Sequence, residues 1–192
     1  MDKRLIIGMS GASGAPLTVE LLRQLQKNHP EVETHLIITK GGEMTLSQET
    51  DISPEELKNL AAVYHDNSNI GAAPASGSFK TIGMIVVPCS MKTVAGVVSG
   101  YSDNLLLRAA DVCMKERRKL VLCAREAPLS TVHLRNLYEA SQLGAVILPP
   151  MLTYYNHSQS LEDCTRYIAN RILSQFDLDT ESYQWEGINA AI

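Results

Sequence analysis

Three runs in this 192-residue chain combine small residues with hydroxyls or charges in patterns that suit chemistry. The first is Gly8-Met-Ser-Gly-Ala-Ser-Gly-Ala15. Small residues let a backbone approach a phosphate at a helix N-terminus, where unpaired N–H groups and the helix dipole attract an anion. Its G-x-x-G-x-x-G spacing differs from the G-x-G-x-x-G of dinucleotide folds, and the second strand ends in Thr39-Lys40 rather than in an acid for a ribose hydroxyl. The pattern favours a mononucleotide phosphate over NAD; a glycine turn needed only for tight packing is the plainer alternative. The second run, Pro88-Cys-Ser-Met-Lys-Thr93, groups the Ser90 and Thr93 hydroxyls with the Lys92 ammonium, although a lone Ser90 reads equally as an N-cap. The third, Arg125-Glu-Ala-Pro128, offers a cation and a carboxylate for phosphate binding and proton transfer, or merely a tie within a loop.

Other candidates are scattered. Arg108, Asp111 and Lys115 are spaced by three and four residues, so they share a helix face, where a solvated ion-pair stripe is the plain reading. Aromatic residues are uneven: none precedes Tyr64, whereas Tyr154, Tyr155, Tyr167, Phe176, Tyr183 and Trp185 crowd the end of the chain. Tyr155, Arg171 and Trp185 thus bring π faces and a cation together in sequence, while Tyr167 and Phe176 read as core.

The scaffold for these groups is legible in the hydrophobic pattern. Short aliphatic runs at Arg4–Gly8, Thr34–Ile38, Met84–Val87, Leu120–Cys123 and Ala145–Leu148 read as buried strands. Helical periodicity fills Pro16 to about Lys27, Gly41 to about Glu49, a stretch capped by Ser53, Asp103 to about Arg117, Thr131–Leu143 and Ser160–Gln175. Residues 66–79, rich in small and turn-forming types, read as a long loop. Strands alternating with helices predict one α/β domain over residues 1–192, a doubly wound parallel sheet in three α/β/α layers. In such a sheet ligands sit at the carboxyl ends of the strands.

Composition narrows the function classes. A net charge of −4 without a basic stripe argues against nucleic acid. No apolar stretch approaches the ~20 residues of a membrane span, and glycine and serine break the N-terminal apolar run too early for a signal peptide, so the cytoplasm is the expected address. The cysteines at 89, 113, 123 and 164 form no CxxC pair, and the histidines at 29, 35, 65, 133 and 157 form neither HExxH nor a close pair. Reduced thiols and no metal site are expected.

Taken together, the three runs with Ser47-Gln-Glu-Thr50, Ser76-Gly-Ser-Phe79, Arg108-Ala-Ala-Asp-Val112, Lys115-Glu-Arg117 and Gly144-Ala-Val-Ile-Leu-Pro-Pro150 resemble the UbiX/Pad1 flavin prenyltransferases, from Lys3 to about Gly187. The resemblance implies a Rossmann-like flavoprotein that joins a dimethylallyl group from dimethylallyl phosphate to N5 and C6 of reduced FMN, without a metal. The product, prenylated FMN, would serve a UbiD-type decarboxylase. By position, Gly11, Ala12, Ser13, Thr39, Ser90, Met91, Lys92, Thr93 and Arg125 would hold FMN. Arg108, Lys115, Tyr155, Arg171 and Trp185 would take the prenyl phosphate, and Ser13, Glu49, Glu126 and Lys115 would be catalytic. The resemblance also implies a homo-oligomer, a dodecamer with sites at subunit interfaces, and a segment from about 177 to 192 that packs on a neighbour or closes the site.

Three rivals remain at this level. Flavin-dependent cysteine decarboxylases share such a fold, but they carry an early catalytic histidine that the first glycine loop lacks. A non-catalytic FMN-binding accessory subunit of an aromatic acid decarboxylase would have no need of a second phosphate site. A direct metal-free decarboxylase is the third.

Overall fold

Alternation along the first strand divides the core in two. The computed structural model describes residues 3–178, 183 and 187. In β1 (Lys3–Met9), Leu5, Ile7 and Met9 point to one face of the sheet and Ile6 to the other, all of them buried. The first face is covered by α1 (Ala15–Asn28), α2 (Lys40–Glu49), α3 (Pro54–Asn59) and α7 (Leu161–Leu173). The second is covered by α4 (Met91–Ser99), α5 (Leu105–Lys115) and α6 (Thr131–Gln142). Burying each Leu or Ile contributes roughly 1.5–3 kcal/mol before the opposing chain entropy, so both layers are needed to hold a sheet apolar on both sides.

The remaining strands are β2 (Val32–Ile38), β3 (Val63–Asp66), β4 (Gly83–Cys89), β5 (Lys119–Ala124) and β6 (Val146–Ile147). All pair in parallel, in the order β3-β2-β1-β4-β5-β6. The chain therefore winds outward in one direction from β1 and then in the other from β4, the doubly wound Rossmann-like arrangement expected. Helix starts follow side-chain chemistry. Thr39, Ser90, Asn104, Ser130 and Ser160 cap α2, α4, α5, α6 and α7, and Ser53 forms a capping box with Glu56 on α3. α5 starts at Leu105 rather than Asp103 because it is the Asn104 side chain that accepts the Leu107 N–H, at 3.0 Å.

The structure corrects two expectations. The sheet has six strands, not five: β3 is a four-residue edge strand reading Val-Tyr-His-Asp, too short and too polar to register as a buried run. The histidines do pair. His35, 3% exposed on β2, places Nδ1 2.9 Å from Nε2 of His65 on β3, with the rings stacked. On its other side His35 Nε2 lies 2.6 Å from Glu33, which also accepts from Arg4, and Phe79 meets the His35 ring edge-on. With Nε2–H donating to Glu33, Nδ1 of His35 must accept from His65. The expected C-terminal closing segment lies, beyond Leu178, outside the described residues apart from Tyr183 and Gly187, and Trp185 lies outside them too.

Burial pulls the His35 imidazole below its ordinary value, against the hydrogen bond and charge of Glu33. Burial also lowers His65, helped by His35. A depressed histidine contributes stability that is full above the unfolded value and is lost as pH falls toward the folded one. Thermal denaturation should therefore show Tm falling as pH drops from about 7 toward 5, and falling less steeply in His35→Gln. Equal slopes in the two proteins would contradict this assignment.

Candidate active site

The two winding directions part between β1 and β4, and Ser10 bridges the gap. Its hydroxyl, 1% exposed in this residue, donates to the Pro88 carbonyl at 3.1 Å and accepts the Ser90 N–H at 2.8 Å. The loop after β1 also meets the first turn of α2 backbone to backbone. A Cβ on Gly11 would stand 3.0 Å from the Gly41 main chain, so any larger residue would push the two backbones apart by a few tenths of an ångström.

A cavity of about 370 Å³ opens beside these loops, within the ~300–1,000 Å³ usual for ligand sites. Its wall includes the capping residues Thr39, Ser90 and Asn104, the ammonium-bearing Lys40 and Lys92, and apolar Leu106 and Leu107. The N–H groups of Lys40, Gly41, Met91 and Lys92, at the starts of α2 and α4, have no protein acceptor among the described residues. Such N–H groups with a lysine make an anion site. α5 is different: Asn67 accepts the Leu105 and Leu106 N–H groups through its carbonyl and its side chain. The donor set fits the phosphate of a mononucleotide, and the leucines fit an apolar body beside it.

The N-terminus of α1 does not serve as an anion site, contrary to the simplest reading of the glycine run. Gly14 at its N-cap has φ +126°, a conformation suited to glycine, and offers no capping side chain. Glu49, at the end of α2, fills the role, its Oε2 accepting from both Gly14 and Ala15 N–H at 2.8 Å. Burial pushes the Glu49 carboxyl up, but hydrogen bonds from the Ser13 hydroxyl and from these two N–H groups, with the charge of Arg125, outweigh it and hold Glu49 below the usual carboxylate range. Ser13, Glu49 and Arg125 line a second cavity of about 440 Å³ whose other walls are mostly apolar, among them Leu17, Leu152, Leu161 and Ile168, with Thr165 beside them. Residues 10 to 14 separate the two cavities and contribute to both.

The remaining candidates are dispersed. Ala12 lies in the dividing loop, its N–H bonded to the Ser10 carbonyl at 2.9 Å. Ser90 is indeed an N-cap, accepting the Thr93 N–H with the two hydroxyls 3.0 Å apart, while the Met91 side chain is buried in the core. The Glu126 carboxylate accepts the Ala127 N–H at 3.1 Å and lines neither cavity. Tyr155 and Arg171 also stand outside both cavities, although the segment carrying Tyr155 supplies Pro150 and Leu152 to the second. Tyr167, expected as plain core, packs on the core but places its hydroxyl 2.9 Å from that of Tyr155.

Arg108, although in the first turn of α5, lines neither cavity, and Lys115 is not brought to this edge. Arg108 pairs with Asp111 at 2.6 Å and donates to the Ala75 carbonyl. Lys115 ends α5, about 15 Å along the helix axis from its start at ~1.5 Å per residue. There it pairs with Glu116 at 2.5 Å, close to where β5 begins. Sequence reading also missed Asn67 and Asn104. Asn67 follows β3, so the rule of inspecting residues after each strand finds it only once that strand is recognised.

Among the described residues no cluster of three His, Cys, Asp or Glu side chains could hold a metal ion, and no helix is long and apolar enough to cross a membrane. Cys89, Cys113 and Cys123 are buried, and burial pushes the Cys113 thiol up to about 12, so these are inert core thiols.

The double hydrogen bond from α1 to Glu49 has a consequence for stability. Glu49→Ala removes the carboxylate cap and should cost about 1 kcal/mol, and Glu49→Gln, which keeps an acceptor, less. For a chain of this size that is a fall in Tm of roughly 2–4 °C for the alanine variant. An alanine variant as stable as the parent protein would show that α1 does not depend on this cap.

Comparison with known proteins agrees with this geometry. Residues 1–173 match the Flavoprotein family. A probable UbiX-like flavin prenyltransferase of Sedimentibacter hydroxybenzoicus is 51% identical over 185 residues, 96% of this chain and 97% of that one. The dodecameric FMN-dependent UbiX-like decarboxylase of Escherichia coli O157:H7 superposes with a TM-score of 0.94 at 47% identity, over 96% of this chain and 100% of the other. AnUbiX (PadA1), solved in complex with FMN and dimethylallyl pyrophosphate, superposes with a TM-score of 0.95 at 45% identity, over 98% and 100%. With its sheet reversal, its mononucleotide-sized anion site and relatives this close over nearly their whole length, the chain belongs to the UbiX-like flavin prenyltransferases.

Proposed function

We propose that the chain joins a dimethylallyl group, delivered as dimethylallyl phosphate, to N5 and C6 of reduced FMN. The observation that carries this is the pair of cavities on either side of residues 10–14, one equipped for a phosphate and the other apolar with an ionised carboxylate at its wall. The first would take the FMN phosphate on the N–H groups of Lys40, Gly41, Met91 and Lys92, with the hydroxyls of Thr39, Ser90 and Thr93 around it. Gly11, Ala12 and Ser13 would run beside the flavin, and Arg125 would reach it from the second cavity. Reduced FMN supplies a nucleophilic nitrogen and carbon when bound. The apolar wall of Leu152, Leu161 and Ile168 suits a branched five-carbon chain, and Leu152 and Leu161, exposed in the single chain, would keep water from an allylic cation once another copy covers them.

Glu49 is ionised and hydrogen-bonded, so it enters as a proton acceptor, with Ser13 placed to relay or steady the proton. Glu126, one residue beyond Arg125, would be the second acid/base carboxylate. Breaking an allylic C–O bond adds negative charge to the departing phosphate, and fixed cations there stabilise the transition state more than the ground state. Tyr155 and Arg171 would supply donors from their own chain. Lys115 stands at the far end of α5 from the cavities, and Arg108, in the first turn of α5, is turned onto Asp111 and the Ala75 carbonyl, so both would serve a site in another copy. The dodecameric relative supports such sharing. Within this reading the chain forms a homo-oligomer in the cytoplasm and passes prenylated FMN to a UbiD-type decarboxylase.

Anaerobic incubation of the purified protein with reduced FMN and dimethylallyl phosphate, read by mass spectrometry, should give a flavin carrying one added C5 unit. Flavin bound but unmodified would instead support the accessory-subunit alternative. Glu126→Gln should keep FMN affinity and form adduct roughly a hundred-fold more slowly or worse; an unchanged rate would remove Glu126 from the chemistry.

A further inference from the structure

Tyr155 sits between β6 and α7 in residues 148–160, a segment with no helix or strand of its own. A loop of that kind cannot by itself hold a phenol to the sub-ångström placement that an anion contact needs. α7 can, because Ile168, Ala169, Ile172 and Leu173 bury its inner face in the core. Tyr167 stands on that helix with its ring half-buried against the same core. Its hydroxyl meets the Tyr155 hydroxyl at 2.9 Å, and the two rings cross nearly at right angles with centroids 6.5 Å apart. Arg171 follows four residues later on the same helix flank, near enough for its charge to act on the Tyr167 phenol.

We propose that Tyr167 is a positioning residue for the prenyl phosphate, which it serves by holding the Tyr155 hydroxyl beside Arg171. This rests on the reading of Tyr155 and Arg171 as the phosphate donors of their own chain. Two effects combine. The packed ring of Tyr167 fixes where the loop phenol points. With the single Tyr155 hydrogen given to an anion, the Tyr167 O–H is left to donate to the Tyr155 oxygen and makes Tyr155 the stronger donor, since linked hydrogen bonds polarise one another.

Steady-state kinetics on Tyr167→Phe, Tyr155→Phe and the double variant test this, alongside FMN affinity. Tyr167→Phe keeps the ring and loses only the hydroxyl. It should raise KM for dimethylallyl phosphate roughly three- to ten-fold, the value of one hydrogen bond, with kcat and FMN affinity little changed. Tyr155→Phe should raise KM at least as much, and the double variant should be no worse than Tyr155→Phe alone, because both remove one linked interaction. If Tyr155→Phe raises KM and Tyr167→Phe does not, positioning by Tyr167 is wrong while the phosphate reading of Tyr155 stands. Additive losses in the double variant would likewise overturn it, since Tyr167 would then act independently of Tyr155. No effect from either single variant would remove the reading of Tyr155 and the proposal with it.

Discussion

The reversal of winding direction between β1 and β4 is the constraint on which the rest of this structure depends. A parallel sheet must bury both faces, and this chain does so by sending α1, α2 and α3 to one side and α4, α5 and α6 to the other. Where the two directions part, the carboxyl ends of β1 and β4 leave a crevice that neither helix layer covers. Ser10 spans it with one accepted and one donated hydrogen bond, and Gly11 lets the loop after β1 lie against the first turn of α2. The anion site, the dividing loop and the second cavity all hang from these few contacts.

Electrostatics then divides the labour among helix ends that look alike in sequence. α1 begins after the most glycine-rich turn, yet Glu49 occupies its N-terminus, and Asn67 and Asn104 occupy that of α5. Only α2 and α4 keep main-chain N–H groups for an external anion among the helices around the first cavity. The arrangement puts a fixed negative charge on one side of residues 10–14 and an anion receptor on the other. That separation allows one short loop to face both a phosphate and a site of proton transfer.

Much of this could be read in advance, for identifiable reasons. The five aliphatic strands and their helices were legible because β1, β2, β4 and β5 are buried on both faces and so read as continuous apolar runs. The runs at Gly8–Ala15 and Pro88–Thr93 were legible as a ligand edge because their residue types demand close backbone approach and capping. The edge strand β3 was not, since an edge needs few apolar residues, and with it went Asn67 and the His35–His65 pair. The capping role of Glu49 was invisible as well, because thirty-odd residues of chain separate it from the N–H groups it binds. Tyr167 could not be told from core by spacing: its ring is core, and only its hydroxyl serves another purpose.

The same topology that gathers Glu49 and Arg125 sends the chain's own Lys115 to the far end of α5. Lys115 on α5 and Arg171 on α7 lie on helices that cover opposite faces of the sheet, so a site using both, as proposed, would draw on two copies, and that sharing is the central claim. Subunit complementation tests it most directly. Lys115→Ala and Arg171→Ala, each inactive in adduct formation alone, are to be assembled together in equal amounts. Mixed oligomers should recover about a quarter of the parent activity, since random mixing in a symmetric assembly leaves that share of shared sites with both residues intact. No recovery above the two separate variants would contradict a site built from two copies.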